Sequence, residues 1–162
     1  MRLHPHCFIP VFLFICPLVG GCGSSHDVSR DAKFLGPMAI GDAYALRRDV
    51  FLYRSERSWD PVRDWLLPER SHRLTEQPLP DVQEFRRARR PPAIRDVLPA
   101  GTRLSLTKIL FQDAVTWAES YYVFTLRDGP SSGEVVCGNE LMTRETRHAP
   151  AVPNDEYLQR AR

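Results

Sequence analysis

TRLSLTKILF, residues 102–111, has the clearest β-strand pattern in the chain and decides its fold class. Leu104 and Leu106 alternate with polar residues, as in a strand with one buried face. Ile109 and Phe111 then fall on the other parity, which predicts a β-bulge or a stretch that is buried on both faces. The stretch therefore predicts a long strand with an irregularity near its middle.

Three further stretches alternate as strands do: residues 44–53 (YALRRDVFLY), 117–127 and 134–137. In the first of them, Arg48 interrupts an apolar face that we expect to meet the core. Turn-forming residues precede the long strand and also follow the strand at 117–127. The chain is thus predicted to contain one strand early and three strands late.

Residues 55–99 separate the first strand from the others and are rich in proline and arginine. The Asp-Pro pair at 60–61 predicts a short helix that ends before Pro68. Asp81, three residues ahead of Glu84, resembles a capping box and predicts a second helix. We therefore expect a Pro/Arg-rich, irregular insert with one or two helices.

These elements predict a mainly β fold with minor α, as one domain over residues 41–142 that includes the insert. Short antiparallel strands must close on themselves or be covered, so we expect a small, partly open antiparallel barrel. Residues 98–142 combine PAGTRLSL, a long hairpin and a glycine-containing turn into a final strand. This segment loosely resembles bacterial SH3-type domains, and the resemblance implies an SH3-like barrel.

The N-terminus has the layout of a secretion signal. Residues 1–6 carry one arginine and two histidines, and residues 7–19 carry no charge. This apolar run is shorter than the roughly 20 residues that a membrane-spanning helix needs. It ends in Val19-Gly20-Gly21-Cys22, which resembles the lipobox of bacterial lipoproteins.

The lipobox resemblance implies cleavage between Gly21 and Cys22 and acylation of the Cys22 sulfur, with residues 1–21 removed. Gly23 rather than aspartate follows the cysteine, and the resemblance then favours the periplasmic face of the outer membrane over the inner membrane. We expect residues 22–40 to form a lipidated, flexible tether and residues 143–162 a mobile tail. Residues 34–38 (FLGPM) either belong to this tether or form a first docking segment of the domain. An ordinary signal peptide, or an uncleaved anchor, is the alternative.

Charge and cysteine usage narrow the function classes. The formal net charge of +2 falls to about +1 when Arg2 leaves with the signal, so no nucleic-acid partner is expected. Two of the four cysteines lie in the signal, and Cys22 is the proposed lipid site. Cys137 remains, in the apolar run VVC, and we expect a small buried side chain rather than a nucleophile.

RRARR at residues 86–90 is the densest charge run. Arg86, Arg87, Arg89 and Arg90 are candidates for contact with anionic headgroups, lipopolysaccharide phosphates or an acidic partner. The alternative is a solvated helix face, which is the commoner outcome for such runs.

Five aromatic residues are candidates for a glycan or peptide groove: Trp59, Trp65, Trp117, Tyr121 and Tyr122. Ordinary core packing is the alternative. Successive strand residues point to opposite faces, so only one of the two tyrosines can belong to any one groove.

The sequence has no metal-ligand spacing, because His26, His72 and His148 lie far apart and no Cys-x-x-Cys is present. We therefore predict no cofactor, no metal and no enzymatic activity. The preferred function is a lipid-anchored envelope protein with a binding or structural role, with an envelope protein or peptidoglycan as partner. The alternative is a small peptidoglycan-directed hydrolase, or an inhibitor of such an enzyme.

Overall fold

The fold is mainly β, as the strand patterns predicted. The computed structural model describes residues 24–74, 78–87, 93–114, 116–146 and 149–161. The strands in chain order are β1 Ser24–Asp27, β2 Ala43–Leu46, β3 Val50–Arg54, β4 Asp64–Leu67, β5 Ile94–Leu98, β6 Arg103–Ala114, β7 Trp117–Leu126, β8 Val135–Cys137, β9 Met142–Thr143, β10 Val152–Pro153 and β11 Leu158–Arg160. Two short helices, α1 Ala32–Leu35 and α2 Val82–Arg87, and the 3-10 turn Asn139–Leu141 complete the described elements.

Most of these strands belong to one open sheet. Within the described residues its order is β11-β2-β6-β7-β8-β4-β3-β5, with β1 added to β6. Neighbours pair antiparallel except β4 and β8, which are parallel with Trp65 opposite Cys137. The order ends at β11 and at β5, which do not pair with each other. The expected closure into a partly open barrel is therefore not found.

β6 is the longest strand and occupies the middle of the sheet. One edge pairs with β7 throughout, and the register shifts between Leu106 and Lys108. This shift confirms the irregularity that the parity change at Ile109 predicted. The other edge of β6 is shared by two short strands: β2 covers residues 103–105, and β1 covers residues 110–113.

Both faces of the sheet are buried, which explains why it need not close into a barrel. Alternate residues of β7 enter different cores: Tyr122 and Phe124 enter one, and Tyr121 and Val123 enter the other. The first core is covered by residues near both ends of the chain, including Met38, Ala151 and Leu158. The second core is covered by the insert: Val62, Leu79, Val82 and Phe85.

The structure corrects two predicted elements. Residues 44–53 form two strands rather than one, because the chain bends after Leu46 and sends β2 and β3 to different parts of the sheet. The helix predicted from Asp60 was wrong, since residues 64–67 form β4 and bury Trp65 between β3 and β8. Burial of the apolar run on both faces outweighs the local Asp-Pro helix signal.

The helix predicted from Asp81 is confirmed as α2. The Asp81 carboxylate accepts hydrogen bonds from the backbone N–H groups of Gln83 (2.7 Å) and Glu84 (3.3 Å), as an N-cap does. Val82 and Phe85 face the second core, and Phe85 packs edge-on against Phe51. The predicted helix end at the following prolines lies outside the described residues.

Segments near both ends of the described chain contain regular structure. The segment expected to be a flexible tether contains β1, α1 and the buried Met38. The segment expected to be a mobile tail contributes β11, which pairs with β2, and Leu158, which is 1% exposed. β1 is held by backbone pairing with a strand edge that would otherwise be unpaired, whereas Met38 and Leu158 also bury apolar side chains in the first core.

Candidate functional site

A groove lies at the end of the sheet where β6 turns into β7. Its volume is about 320 Å³, and we call it the hairpin groove. The aromatic part of its lining is Trp59, Trp65, Trp117 and Tyr121, and its basic rim is Arg57 and Arg144. The structure thus brings together four of the five aromatic candidates. Tyr122 points to the opposite face, as strand alternation requires.

The four aromatic side chains are not equivalent. Trp65 and Tyr121 are each 1% exposed and meet edge-on with centroids 5.9 Å apart, so they form the floor. Trp59 is 57% exposed, and Trp117 is partly buried. The backbone carbonyl of Trp59 accepts a hydrogen bond from Gln112 Nε2 of β6 at 3.1 Å. The Trp59 loop is therefore fixed to the end of β6, with its indole in solvent.

Arg73 organises the polar wall beside the groove. Its guanidinium forms ion pairs with Glu119 of β7 and with Glu140 (3.2 Å) in the 3-10 turn. It also lies over the Trp65 ring, 5.5 Å from the centroid. Asn139 Nδ2 donates to Glu119 Oε1 at 3.2 Å. Arg73 therefore connects the insert to the sheet. It also neutralises Glu119 and Glu140, which line a neighbouring cavity of about 260 Å³.

Two titratable groups lie buried beneath the groove, the Asp60 carboxyl and the Tyr121 phenol. The Ser55 hydroxyl donates to Asp60, whose side chain is buried. Burial, with the nearby Asp60 charge as a smaller cause, raises the pKa of Tyr121 to about 12, so this phenol stays neutral. General acid–base chemistry needs a group that changes protonation near the working pH. The Tyr121 phenol does not meet that need.

Cys137 confirms the expectation of a small buried side chain. It is 0% exposed and packs in the second core. Burial raises the pKa of its thiol above the usual range, which keeps the sulfur protonated and unreactive. Of the proposed lipidation and cleavage residues, Gly21 and Cys22 both lie outside the described part of the chain.

The arginine run lies far from the hairpin groove. Arg86 Nη2 donates to Asp49 Oδ2 at 2.9 Å, and Asp49 Oδ1 accepts from the N–H of Ala100, just before β6. β6 has 12 residues at about 3.4 Å each, so this end and the hairpin end are roughly 35 Å apart along the strand. Arg87 is exposed beside Arg86. The predictions for Arg89 and Arg90 fall outside the described residues.

Sequence reasoning missed the Arg73 network entirely. Its members come from three separate segments, and Arg73 and Glu140 are 67 positions apart, so no local pattern marks them. A second omission is GPSSG at residues 129–133, which has the Gly-x-Ser-x-Gly spacing of a nucleophile elbow. The structure places it in the turn between β7 and β8. A strand follows it rather than the required helix, and Ser131 is 8% exposed.

Within the described residues, no group of three or more His, Cys, Asp or Glu side chains is placed to hold a metal ion. Among the same residues, no helix combines the length and the apolar character that crossing a membrane requires. Comparison of the chain with protein-family models, with curated proteins and with solved structures finds no match.

Proposed function

We propose that the chain is a lipid-anchored protein of the bacterial cell envelope with a non-enzymatic binding or structural role. The anchor is the acylated Cys22, and the periplasmic face of the outer membrane is preferred because Gly23 follows the cysteine. The observation that carries the proposal is the position of β1. This strand begins at Ser24, two residues after Cys22, and is paired with the hairpin end of β6.

Anchoring at this end leaves the opposite end for a partner. That end, which we call the basic end, carries the exposed residues Arg47, Arg48, Arg86 and Arg87. Arg47 and Arg48 line a cavity of about 370 Å³ together with Asp49, Glu69 and Tyr157. Arg48 pairs with Glu156 and Arg86 with Asp49, so a partner protein with an acidic face would compete with these exposed pairs for the guanidinium groups. The proposed anchor also changes the role considered for Arg86 and Arg87. These residues lie at the opposite end of β6 from the anchor, so they do not reach the lipid headgroups at the anchored end.

The hairpin formed by β6 and β7, followed by the glycine-containing turn and β8, carries the likeness of residues 98–142 to SH3-type domains. We propose this likeness as an interpretation of the hairpin region alone. SH3-type domains serve as recognition modules, so the likeness agrees with a binding role.

The second candidate, a peptidoglycan-directed hydrolase or an inhibitor of one, has one specific observation in its favour. Glu119 and Glu140 converge on a single cavity, as a pair of catalytic carboxylates would. One member of such a pair must carry a proton as the general acid. Both carboxylates are instead held in ion pairs by the shared Arg73 guanidinium, and this arrangement favours the binding role.

Intact mass of the membrane-extracted protein tests the anchor. We expect a mature chain that starts at Cys22 and carries fatty-acyl additions, and we expect the additions to be absent from the Cys22→Ser variant. An unlipidated mass with cleavage elsewhere contradicts the proposal. A separate assay with purified cell wall tests the second candidate. If the parent protein releases cell-wall fragments and the Glu119→Gln variant does not, the protein is an enzyme.

The basic end is tested by binding of the lipidated protein to purified peptidoglycan and to envelope proteins, with Arg47→Gln/Arg48→Gln/Arg86→Gln/Arg87→Gln as the variant. The proposal is supported if the parent protein binds a partner, the variant does not, and added salt weakens the binding. Binding to peptidoglycan that the variant retains contradicts an acidic partner at this end.

A further inference from the structure

The chain enters the fold at the same end as the hairpin groove. In the pairing of β1 with β6, Ser24 lies opposite Asp113, one residue before the end of β6. On the other edge of β6, Asp113 lies opposite Ala118 of β7, and Ala114 lies opposite Trp117. Adjacent strands are about 4.8 Å apart, so Ser24 and Ala118 are separated by roughly 10 Å.

Only Gly23 separates Ser24 from the proposed lipid site. An extended chain advances at most about 3.6 Å per residue, so the Cα of Cys22 lies within roughly 7 Å of the Cα of Ser24. Only one residue therefore lies between the proposed lipid site and Ser24, the first residue paired with β6. If Cys22 is acylated, as the proposed function requires, the hairpin end of the sheet is held at the lipid headgroups.

The hairpin end presents the side chains that suit this location. Among the described residues, the large apolar side chains that are exposed are Ile40 at 41%, Val135 at 50% and Trp59 at 57%. Trp59 is the most exposed, and it shares its groove with Trp117, Arg57 and Arg144. The lining also holds Asp60, which is buried, and Glu119, which is paired with Arg73. Indoles are enriched at membrane interfaces, and arginine side chains pair with lipid phosphates.

We propose that the hairpin groove contacts the membrane that holds the lipid, with Trp59 and Trp117 in the headgroup region. One acylated cysteine and two tryptophans then attach the domain to the bilayer. β6 runs away from the surface, and the basic end points into the periplasm. The inference rests on the proposed anchor and names the lipid headgroup layer as the partner of the groove.

The experiment uses the lipidated protein, with its acylation verified by intact mass, in phosphatidylcholine vesicles with plain or brominated acyl chains. Bromine quenches indole emission only at short range. We expect the emission of Trp59 and Trp117 to be weaker in the brominated vesicles than in the plain ones. Emission from Trp65, which is buried in the second core, should persist. In the Trp59→Phe/Trp117→Phe variant the difference between the two vesicle types should therefore disappear.

A matched control places an indole at the other end. Thr125 lies opposite Val135, near the end of β7 remote from the hairpin. Val135→Trp in the Trp59→Phe/Trp117→Phe background should show no bromine quenching and should be quenched by aqueous iodide. Trp59, Trp117 and Val135 are all at least partly exposed, so we expect the variants to fold. Far-UV circular dichroism is the check that they do.

The outcomes separate the two proposals. A lipidated protein whose emission is equal in plain and brominated vesicles overturns the membrane contact and leaves the anchor in place. The same conclusion follows if soluble peptidoglycan fragments shift the emission of Trp59, because a glycan then occupies the groove. A mass without acyl groups overturns the anchor, and the membrane contact with it.

Discussion

Ser24 lies directly opposite Asp113 in the antiparallel pairing of β1 with β6. This pairing continues beyond β1, since the N–H of Val28 donates to the carbonyl of Ile109 at 2.9 Å and the N–H of Ile109 donates to the Ser29 hydroxyl at 2.9 Å. All four β1 side chains are exposed, so backbone pairing rather than apolar burial holds the strand. The start of the described chain is therefore fixed to a central strand by hydrogen bonds.

Val28→Pro tests this attachment. Proline removes the N–H that bonds to Ile109, and we expect β1 to separate from β6. In an antiparallel ladder successive amides of one strand face alternate neighbours, so Phe111 and Asp113 face β1 as Ile109 does. Amide hydrogen exchange should speed up at Phe111 and Asp113. Unchanged exchange at both positions would mean that β1 is not needed for their protection.

Leu110 and Gln112 are internal controls for this measurement, because their amides face β7. Their protection should stay as in the parent protein if the sheet itself is intact. Faster exchange at all four positions would show general destabilisation instead of the release of β1.

Arg73→Met should lower the free energy of unfolding by about 0.4–2 kcal/mol, because two partly exposed ion pairs contribute ~0.2–1 kcal/mol each. The substitution keeps the aliphatic stem but leaves Glu119 and Glu140 without their shared cation. Adding Glu119→Gln should then recover part of the loss. Urea denaturation of the parent, the two single variants and the double variant measures the coupling, and additive effects of the two substitutions would contradict the network.

Arg103→Met is the matched control. Arg103 pairs with Asp128 at 2.7 Å, its side chain is 66% exposed, and no second carboxylate is involved in that pair. One such exposed pair is worth at most about 1 kcal/mol. A loss for Arg103→Met as large as that for Arg73→Met would remove the special role of Arg73.

The sequence predicted the strands that carry their own apolar pattern. β6, β7 and β8, the N-cap Asp81 and the irregularity after Leu106 all follow from local signals. β4 was mistaken for a helix because the Asp-Pro pair is a local helix-start signal. The burial that makes this segment a strand comes from the neighbouring strands and is not visible in the local sequence. β1 was missed because its pairing with β6 is made by the backbone and leaves no mark on a short polar segment. β11 was missed because it is short, and its one buried residue, Leu158, forms no alternating pattern.

The same distinction applies to the candidate site. Trp59, Trp65, Trp117 and Tyr121 were candidates for a groove by residue type, with core packing as the alternative. Core packing holds for Trp65 and Tyr121, which are each 1% exposed and form the floor of the groove. The convergence of all four depends on the hairpin of β6 and β7 and on the contact between Gln112 and the Trp59 carbonyl. The Arg73 network joins three segments that are distant along the chain, so only the fold reveals it.

Leu158→Ala tests the docking of the C-terminal segment. Leu158 is 1% exposed in the first core and lies opposite Leu46 of β2. Truncation of a buried leucine costs about 2–5 kcal/mol, so we expect a loss in that range in urea denaturation. The neighbouring Gln159→Ala, at an exposed position, should change the free energy of unfolding by less than about 0.5 kcal/mol. Equal, negligible effects would mean that this segment is the mobile tail that the sequence suggested.

Asp42 makes the attachment of β11 sensitive to acid. Burial alone would raise the pKa of its carboxyl, but hydrogen bonds from the N–H of Ala39 and from Arg160 of β11 outweigh burial and lower the pKa below the usual value. A group with a depressed pKa in the folded state stabilises the protein above its unfolded pKa of about 4, and this contribution is lost as the pH falls through the folded pKa.

Asp42→Asn removes the charge and keeps the shape of the side chain. We expect the variant to be less stable than the parent at about pH 7, and the difference to shrink as the pH falls below about 4, where the parent carboxyl becomes protonated. Urea denaturation across this pH range measures the difference directly. In an Arg160→Met background the difference at neutral pH should be smaller, since one of the groups that lowers the pKa is gone. A difference that stays constant from neutral to acid pH would show that the charge on Asp42 does not hold β11 against β2.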